Sequence, residues 1–291
     1  MHAHEIHIDE EMVQCLIDEQ FPEYRHLRIK KYHHMGTVNA IYRLGAAYYI
    51  RLPRVAAWAD IEKEWKILHL LQQNVSLTIP SPIGLGHPTS HYPFHWAIYT
   101  WIEGRTYAER WIDDEVCAAK ALANFVNELH AVDMTDEIPR AGRKPLRELH
   151  ELTLNALESA QQYLDTSKVM EAWNTLIDSS PWKTDPVVIH SDLLRTNIVT
   201  HHGKLHAIID FGASGKGDPA FDVIAAWTVF NKPGRDIFLN EIHCHRQEIE
   251  RAMGYALHQA LLIIPYYYAT YHAFAKLAIR TVHEILRDLN M

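Results

Sequence analysis

Ile189-His190-Ser191-Asp192-Leu193-Leu194-Arg195-Thr196-Asn197 is followed, thirteen residues after its last member, by Asp210-Phe211-Gly212. Each stretch closes a short apolar run: Pro186-Val187-Val188-Ile189 before the first, Leu205-His206-Ala207-Ile208-Ile209 before the second. Both runs read as strands. Taken singly, the pieces are ordinary. H-x-D recurs by chance, D-F-G is a plain turn, and an aspartate after a strand is most often a cap. Their combination is specific. Phosphoryl transfer asks little covalent chemistry of a protein; it needs a carboxylate to orient a hydroxyl and accept its proton, and oxygen ligands for Mg2+ on the phosphates. Asp192 suits the first role, Asn197 and Asp210 the second. The eighteen residues from Asp192 to Asp210 leave room for a loop, a strand, a turn and a returning strand.

Working outward from that pair of strands, the flanking sequence is helical. Helical spacing covers Asp113 to His130, Leu146 to Leu164, Lys168 to Ser179, Phe238 to Met253 and Tyr255 to Leu289. The N-terminal part differs. Asp9 to Gln20 is a helix with Asp9 as its N-cap. Arg28 to Tyr32 has strand character, and Ala40 to Leu44 with Tyr48 to Leu52 forms a hairpin across Gly45-Ala46-Ala47. Ala59 to Gln73 is an amphipathic helix, Ile79-Pro80-Ser81-Pro82 and Gly84-Leu85-Gly86 read as a connection, and Trp96 to Ile102 is a strand. The change of character at Glu103-Gly104 predicts two domains, 1–102 and 103–291, in an α+β class.

Composition narrows the function. The chain has 291 residues, is 48% hydrophobic and carries a formal net charge of −8. An acidic chain is a poor partner for nucleic acid, whose phosphates need a basic surface. Cys15, Cys117 and Cys244 are scattered and odd in number, which fits a reducing cytoplasm rather than a disulfide scaffold. The N-terminus has no apolar signal core, and the run Ala260 to Pro265 is too short to span a bilayer, so no membrane role is expected. Histidine is abundant, at 21, with clusters at His2, His4 and His7 and at His201, His202 and His206. These lack a second ligand set with zinc spacing and read as surface histidines.

Ile189 to Asp222 as a whole resembles the signature motif of the aminoglycoside phosphotransferase superfamily, which also holds macrolide kinases, choline kinase and several metabolite kinases. The resemblance runs from about Gly36 to Asp222. It implies a two-lobed protein-kinase-like fold, with a small mixed β/α nucleotide-binding lobe and a larger, mainly helical catalytic and acceptor-binding lobe. It implies ATP or GTP as donor, Asp192 as base, and Mg2+ on Asn197 and Asp210. His190 then braces the loop. Asp218 and Asp222 match structural carboxylates, and Asp222 would accept bonds from the catalytic-loop backbone, a role compatible with capping the following helix.

The resemblance is looser in the small lobe. Gly36 and Thr37 stand in the place of a phosphate-facing loop. Arg51, in Ile50-Arg51-Leu52-Pro53-Arg54, stands where the phosphate-binding lysine would be; related antibiotic kinases show arginine in a similar L-R-x-P-R setting. Glu64, with Glu62 as runner-up, matches the helix glutamate that pairs with that cation. Thr100, through its carbonyl, and Ile102, through its N–H, match the adenine-binding hinge. Two departures are local: Ser191 replaces the usual glycine of H-G-D, and Arg195 adds a positive charge near the phosphates. For the acceptor, Tyr266 and Tyr267 in the run Ile264 to His272 either line a pocket or pack between helices. An antibiotic is the largest acceptor class in the superfamily. Metabolite kinase, non-catalytic nucleotide-binding scaffold and a histidine-based metal hydrolase are the other readings.

Overall fold

Asp9 accepts the N–H of Met12 at 2.9 Å and starts the first helix, α1 (Glu10–Gln20), which buries Val13, Leu16 and Ile17 along one face. The computed structural model describes residues 5–32, 38–56, 60–133, 138–179, 181–183 and 185–291. Gly36, Thr37 and the expected helix start at Ala59 lie outside them. The strands β1 (Ile29–Tyr32), β2 (Asn39–Leu44) and β3 (Tyr48–Pro53) follow, then the helix α2 (Ile61–Leu71), then β4 (Pro82–Gly86) and β5 (Trp96–Thr100). They make one antiparallel sheet in the order β1-β2-β3-β5-β4. The hairpin between β2 and β3 turns at Gly45, whose φ of 59° suits a residue without Cβ. The apolar face of α1 packs on Ala40, Tyr42, Leu44, Ile50, Leu52, Trp96 and Ile98.

The run around Pro82 is a strand rather than a connection. Its place at the sheet edge tolerates a proline that cannot donate to the ladder, and the register shifts between Pro82 and Gly84. The strand β5 ends at Thr100 and not at Ile102, because the Trp101 N–H turns to the Ala47 carbonyl at 2.7 Å.

The chain divides into two compact units. The first takes Met1–Asn74, Thr78–Glu103 and Ile208–Gly212; the second takes Val75–Leu77, Gly104–Ala207 and Ala213–Met291. The D-F-G segment thus belongs to the sheet-containing unit, held there partly by the Ile208 N–H on the Thr78 carbonyl at 3.0 Å.

In the second unit the order is β6 (Arg105–Thr106), α3 (Glu115–His130), α4 (His150–Ser159), α5 (Thr166–Leu176), β7 (Val187–Ile189), β8 (Ile198–His201), β9 (Lys204–Ile208) and β10 (Gly215–Gly217). The helices α6 (Ala220–Val223), α7 (Ala225–Thr228), α8 (Lys232–Glu241), α9 (Arg246–Tyr267) and α10 (His272–Asp288) close the chain. β7 pairs with β10, and β8 lies between β6 and β9.

The last helices break where the sequence pattern does not place the breaks. The pattern predicts a boundary at Gly254, yet α9 runs through it. A Cβ at Gly254 would lie 2.5 Å from the Leu146 side chain, so this glycine serves close packing of the helix and does not end it. The real start is at His245, whose N–H reaches the Glu248 carboxylate at 3.0 Å in a capping box. Leu146 to Leu149 is a separate 3-10 turn before α4. Among the described residues no helix is long and apolar enough to cross a membrane.

A fully buried cation joins three of these helices. Arg235 in α8 donates to Glu284 at 2.8 Å and to Asp288 at 2.9 Å, both in α10, and Asp288 accepts the indole N–H of Trp227 in α7 at 3.0 Å. Removing the cation leaves the buried Glu284 with only the exposed Arg287 guanidinium as counter-charge and leaves its Oε2 without a donor. Arg235→Met is expected to cost about 3–5 kcal/mol, read as a lower urea midpoint at unchanged slope.

Candidate active site

The catalytic loop hangs from one carboxylate. Asp222 in α6 is wholly buried and accepts the N–H of His190 at 3.0 Å on Oδ2 and that of Ser191 at 2.8 Å on Oδ1. His130, in the last turn of α3, approaches Oδ2 at 3.1 Å. The helix that holds Asp222 has Pro219 at its N-cap, so this side chain serves the loop and does not cap the helix. His190 is buried as well. Its Nδ1 accepts the Asp192 N–H at 3.3 Å, which fixes that nitrogen as the unprotonated one, and its carbonyl accepts the Ser214 hydroxyl at 3.3 Å. Ser191 has φ 69°, the left-handed region that makes the loop tight enough to turn Asp192 outward from β7.

Asp192 is half-buried and held at both oxygens. Asn197 Nδ2 donates to Oδ2 at 2.8 Å and to the Asp192 carbonyl at 2.9 Å. Gln259 Nε2, from α9, donates to Oδ1 at 2.7 Å. Two amide donors, one on each oxygen, fix its rotamer. With its nitrogen engaged, Asn197 presents its carbonyl oxygen as the atom able to bind a cation.

In the sheet-containing unit, Arg51 on β3 is the centre. It is buried, with Nη1 3.2 Å from Glu64 Oε1 and 2.7 Å from Asp210 Oδ1. Burial alone would lower the Arg51 pKa; Asp210 and Glu64 together raise it, so the guanidinium stays charged. Glu64 is 2% exposed, and desolvation raises its pKa against the opposing pull of Arg51. The Tyr99 hydroxyl also faces it, at 3.5 Å. Glu62, the other glutamate of this helix turn, instead meets His95 at 3.4 Å with its side chain 55% exposed. Asp210 has φ 66° and a half-exposed side chain. Gly212 makes room for the arginine, because a Cβ there would sit 2.8 Å from Arg51 Nη2.

The remaining predicted residues fall as follows. Asp218 is a buried carboxylate gripped by Arg251 of α9, at 2.8 Å on Oδ2 and 2.9 Å on Oδ1, and it accepts the Ala220 N–H at 3.0 Å. Thr100 ends β5, and its hydroxyl accepts the Ser81 N–H at 2.9 Å; Ile102 follows, half-buried. Tyr266 and Tyr267 end α9 and stack edge-on against each other at 4.7 Å, with Tyr267 also against Phe274 at 5.1 Å. Arg195 is engaged within the protein. Its Nε donates to the Val229 carbonyl at 2.8 Å and its Nη2 to Glu109 at 2.6 Å. Desolvation raises the Glu109 pKa, but the bond and charge of Arg195, a backbone hydrogen bond and the charge of Arg280 together lower it, so the net shift is downward. The rings of His201, His202 and His206 lie within 3.9 Å and 5.4 Å, yet among the described residues no group of three or more His, Cys, Asp or Glu could hold a metal. Asn197 and Asp210 are hard oxygen donors, the chemistry Mg2+ selects when substrate phosphates and water complete its shell.

Two participants were not singled out from the sequence. Gln259 is a buried amide on an otherwise apolar stretch of α9, and a polar residue inside Ala256-Leu257-His258-Gln259-Ala260-Leu261 is the signal that marks it. Arg143 is half-buried; desolvation lowers its pKa, opposed by the charges of Asp192 and Tyr255.

The model of the phosphotransferase enzyme family matches residues 32–257. The chain belongs to this family. Among curated relatives of this phosphotransferase is an aminoglycoside 3'-phosphotransferase from Escherichia coli, 24% identical over 206 residues, which span 65% of this chain and 72% of the relative. Among solved structures, the GDP complex of aminoglycoside 2'-phosphotransferase-IIIa superposes with TM-score 0.71 at 16% identity, covering 97% of this chain and all of that one. A spectinomycin phosphotransferase with ADP and spectinomycin superposes with TM-score 0.68 at 15% identity, covering 96% of this chain and 97% of that one. A macrolide 2'-phosphotransferase from Brachybacterium faecium superposes with TM-score 0.59 at 19% identity, over 92% of this chain and 98% of that one. At these identities the likeness establishes the fold, the two-lobed α+β kinase-like class.

Beside Gln259 in the phosphotransferase, His258 points into the helical core. The Thr153 hydroxyl donates to the Leu149 carbonyl at 2.7 Å, so at 2.8 Å it accepts from His258 Nδ1. Desolvation, reinforced by Arg143, lowers the His258 pKa to about 4. The folded state therefore holds this ring neutral where the unfolded chain, near pKa 6.5, protonates it. Its contribution is complete above about pH 6.5 and declines as pH falls toward 4. Between pH 7.5 and 5, wild type should lose about 2 kcal/mol more than His258→Gln in urea unfolding.

Proposed function

We propose that this phosphotransferase moves the γ-phosphate of ATP or GTP to a hydroxyl of an antibiotic of the aminoglycoside or macrolide class, with Asp192 as the base. The observation that carries the reading is Asp192 itself: a carboxylate on a strained loop, oriented by Asn197 and Gln259 at 2.8 and 2.7 Å. Such a carboxylate is built to orient a donor. Ionised, it accepts the acceptor's O–H and takes its proton as the acceptor oxygen bonds to Pγ. The bond from Pγ to the β–γ bridging oxygen breaks, its electron pair stays on that oxygen, and ADP or GDP leaves. The transition state of this transfer is loose, so orientation matters more than basicity.

Asn197 and Asp210 are the proposed ligands of Mg2+, which when bound neutralises charge on the phosphates. Arg51 is proposed as the phosphate cation, kept charged by Asp210 and aligned by Glu64. The hinge Thr100 and Ile102 would take the base through main chain, with Gly36 and Thr37 toward the phosphates. Residues 1–102 and 103–291 are proposed as the nucleotide and the catalytic, acceptor-binding domains. Tyr266 and Tyr267 are proposed at the acceptor end, where one face of Tyr266 is 53% exposed. A cytoplasmic setting fits a nucleotide donor and the free thiols of Cys15, Cys117 and Cys244.

Acceptor-dependent release of ADP or GDP, screened over aminoglycosides, macrolides and small amino alcohols, tests the reading. Asp192→Ala should lower kcat by about 10²–10⁴ with the fold intact; full activity in that variant would remove Asp192 from the reaction. Arg51→Met should lower kcat/KM for the nucleotide about 10²-fold or more while the acceptor KM changes little. Turnover confined to amino alcohols would shift the assignment to a metabolite kinase.

A further inference from the structure

Among the described residues the buried arginines are Arg51, Arg195, Arg235 and Arg251, and each has a carboxylate within 3.2 Å. Arg143 differs. It is half-buried, yet among the described residues it makes no hydrogen bond or ion pair. Burial lowers its pKa, and the charges of Asp192 and Tyr255 oppose that shift without cancelling it, so its lost hydration is not made good within the protein. A guanidinium held partly out of water with no anion on it is costly, and the cost falls when an anion arrives.

The backbone fixes where Arg143 stands. The Ala141 N–H reaches the Lys216 carbonyl at 2.8 Å and the Lys216 N–H reaches the Pro139 carbonyl at 2.9 Å, so residues 139–141 lie along one edge of β10. The other edge of β10 pairs with β7, whose last residue, Ile189, opens the catalytic loop. Gly142 then turns the chain at φ 88°, against the ring of Phe221, which a Cβ there would meet at 2.5 Å. Phe221 stacks on Tyr255 at 4.1 Å. Tyr255, His258 and Gln259 follow at i, i+3 and i+4 on one face of α9, and Gln259 ends on Asp192 at 2.7 Å. The charge of Arg143 is felt by Tyr255, by His258 and by Asp192. The guanidinium therefore stands over this face of α9, beside the carboxylate of Asp192 but not paired with it.

We infer that Arg143 is an oxyanion-binding residue of the active site, donating its N–H groups to a phosphate or carboxylate held beside the hydroxyl on Asp192. Such an oxyanion has two sources. One is the phosphoryl group once it is on the acceptor oxygen, where it carries negative charge next to the Asp192 carboxylate and needs a cation. The other is an acid group that the acceptor itself carries near its hydroxyl. Both present paired oxygens to the planar fork of an arginine. The inference rests on the phosphotransfer reading for the hydroxyl on Asp192, but oxyanion binding is tested without turnover.

The experiment compares wild type, Arg143→Met and Arg143→Lys, after circular dichroism has established that each is folded. Inorganic phosphate is titrated in the presence of Mg2+ and of ADP or GDP, whichever binds more tightly, and followed by phosphorus NMR line broadening. Wild type should bind phosphate, Arg143→Met about tenfold more weakly or less, and Arg143→Lys, which keeps the charge, within about threefold, with the diphosphate affinity within about twofold in all three. Kinetics with kanamycin, erythromycin, ethanolamine and glycerate then separate the sources. A transferred phosphoryl group predicts that Arg143→Met lowers kcat about tenfold or more for every acceptor that turns over, with KM values nearly unchanged. An acid on the acceptor predicts that the KM for glycerate rises about tenfold while the other acceptors are unaffected. Phosphate that wild type does not bind, that Arg143→Met binds equally well, or that Arg143→Lys loses as fully as Arg143→Met overturns the inference, and so do unchanged kinetics with every acceptor; turnover by wild type leaves phosphotransfer standing in each case. Phosphate binding that depends on Arg143, with no acceptor turned over, supports the oxyanion site and sinks the phosphotransfer reading instead.

Discussion

The bonds that Asp222 accepts from His190 and Ser191 organise the helical unit. A wholly buried carboxylate is costly unless its lone pairs are filled, and two loop N–H groups and His130 fill them. That arrangement stabilises a backbone the loop would not adopt by itself. Ser191 sits at φ 69°, where a side-chain-bearing residue costs roughly 1–2 kcal/mol, and its charge-assisted hydrogen bond to Asp222 contributes about 1.5–3. The bond outweighs the strain, so the turn holds with serine; it is made by the backbone N–H, which glycine would offer equally. The direction of Asp192 follows from this turn, and the grips of Asn197 and Gln259 follow from the direction of Asp192.

A second buried carboxylate extends the same logic along α9. Asp218 is clasped at both oxygens by Arg251, and Gln259 lies eight residues further on the same helix. The pair therefore anchors the helix that delivers an amide to Asp192. Arg235, with Glu284 and Asp288, ties α8 to α10 in a comparable way. Ionic contacts inside this unit act less as sources of stability than as fixed points, each making one helix position the only one that leaves no charge unpaired.

What was legible in the sequence was local. Asp192 and Asn197 are five residues apart, and their spacing after a strand already places them in one loop, where Asn197 bonds Asp192. The hairpins, α1 with its Asp9 cap and the amphipathic α2 are also short-range patterns, as is the choice of helix turn that offers Glu64. What was hidden depends on distant partners. Gln259 is 67 residues from Asp192, and nothing near it in the chain announces the contact. Gly254 looks like a helix end until Leu146 is seen against it. The edge strand β4 hides behind two prolines because an edge does not need their missing N–H groups. Arg195 reads as a positive charge added to the loop, and its partner Glu109, 86 residues earlier, is invisible from the sequence around it.

The absence of a side chain at Gly212 has a consequence for how this protein can change. Its α-hydrogens occupy the space that a methyl group would contest with Arg51 Nη2 at 2.8 Å, so the two positions are not independent. While arginine stands at 51, a larger residue at 212 must shift the guanidinium that Glu64 and Asp210 hold. A shorter cation at 51 would leave that space open. The two positions are therefore coupled: bulk added at 212 is felt first at the ion pairs of residue 51.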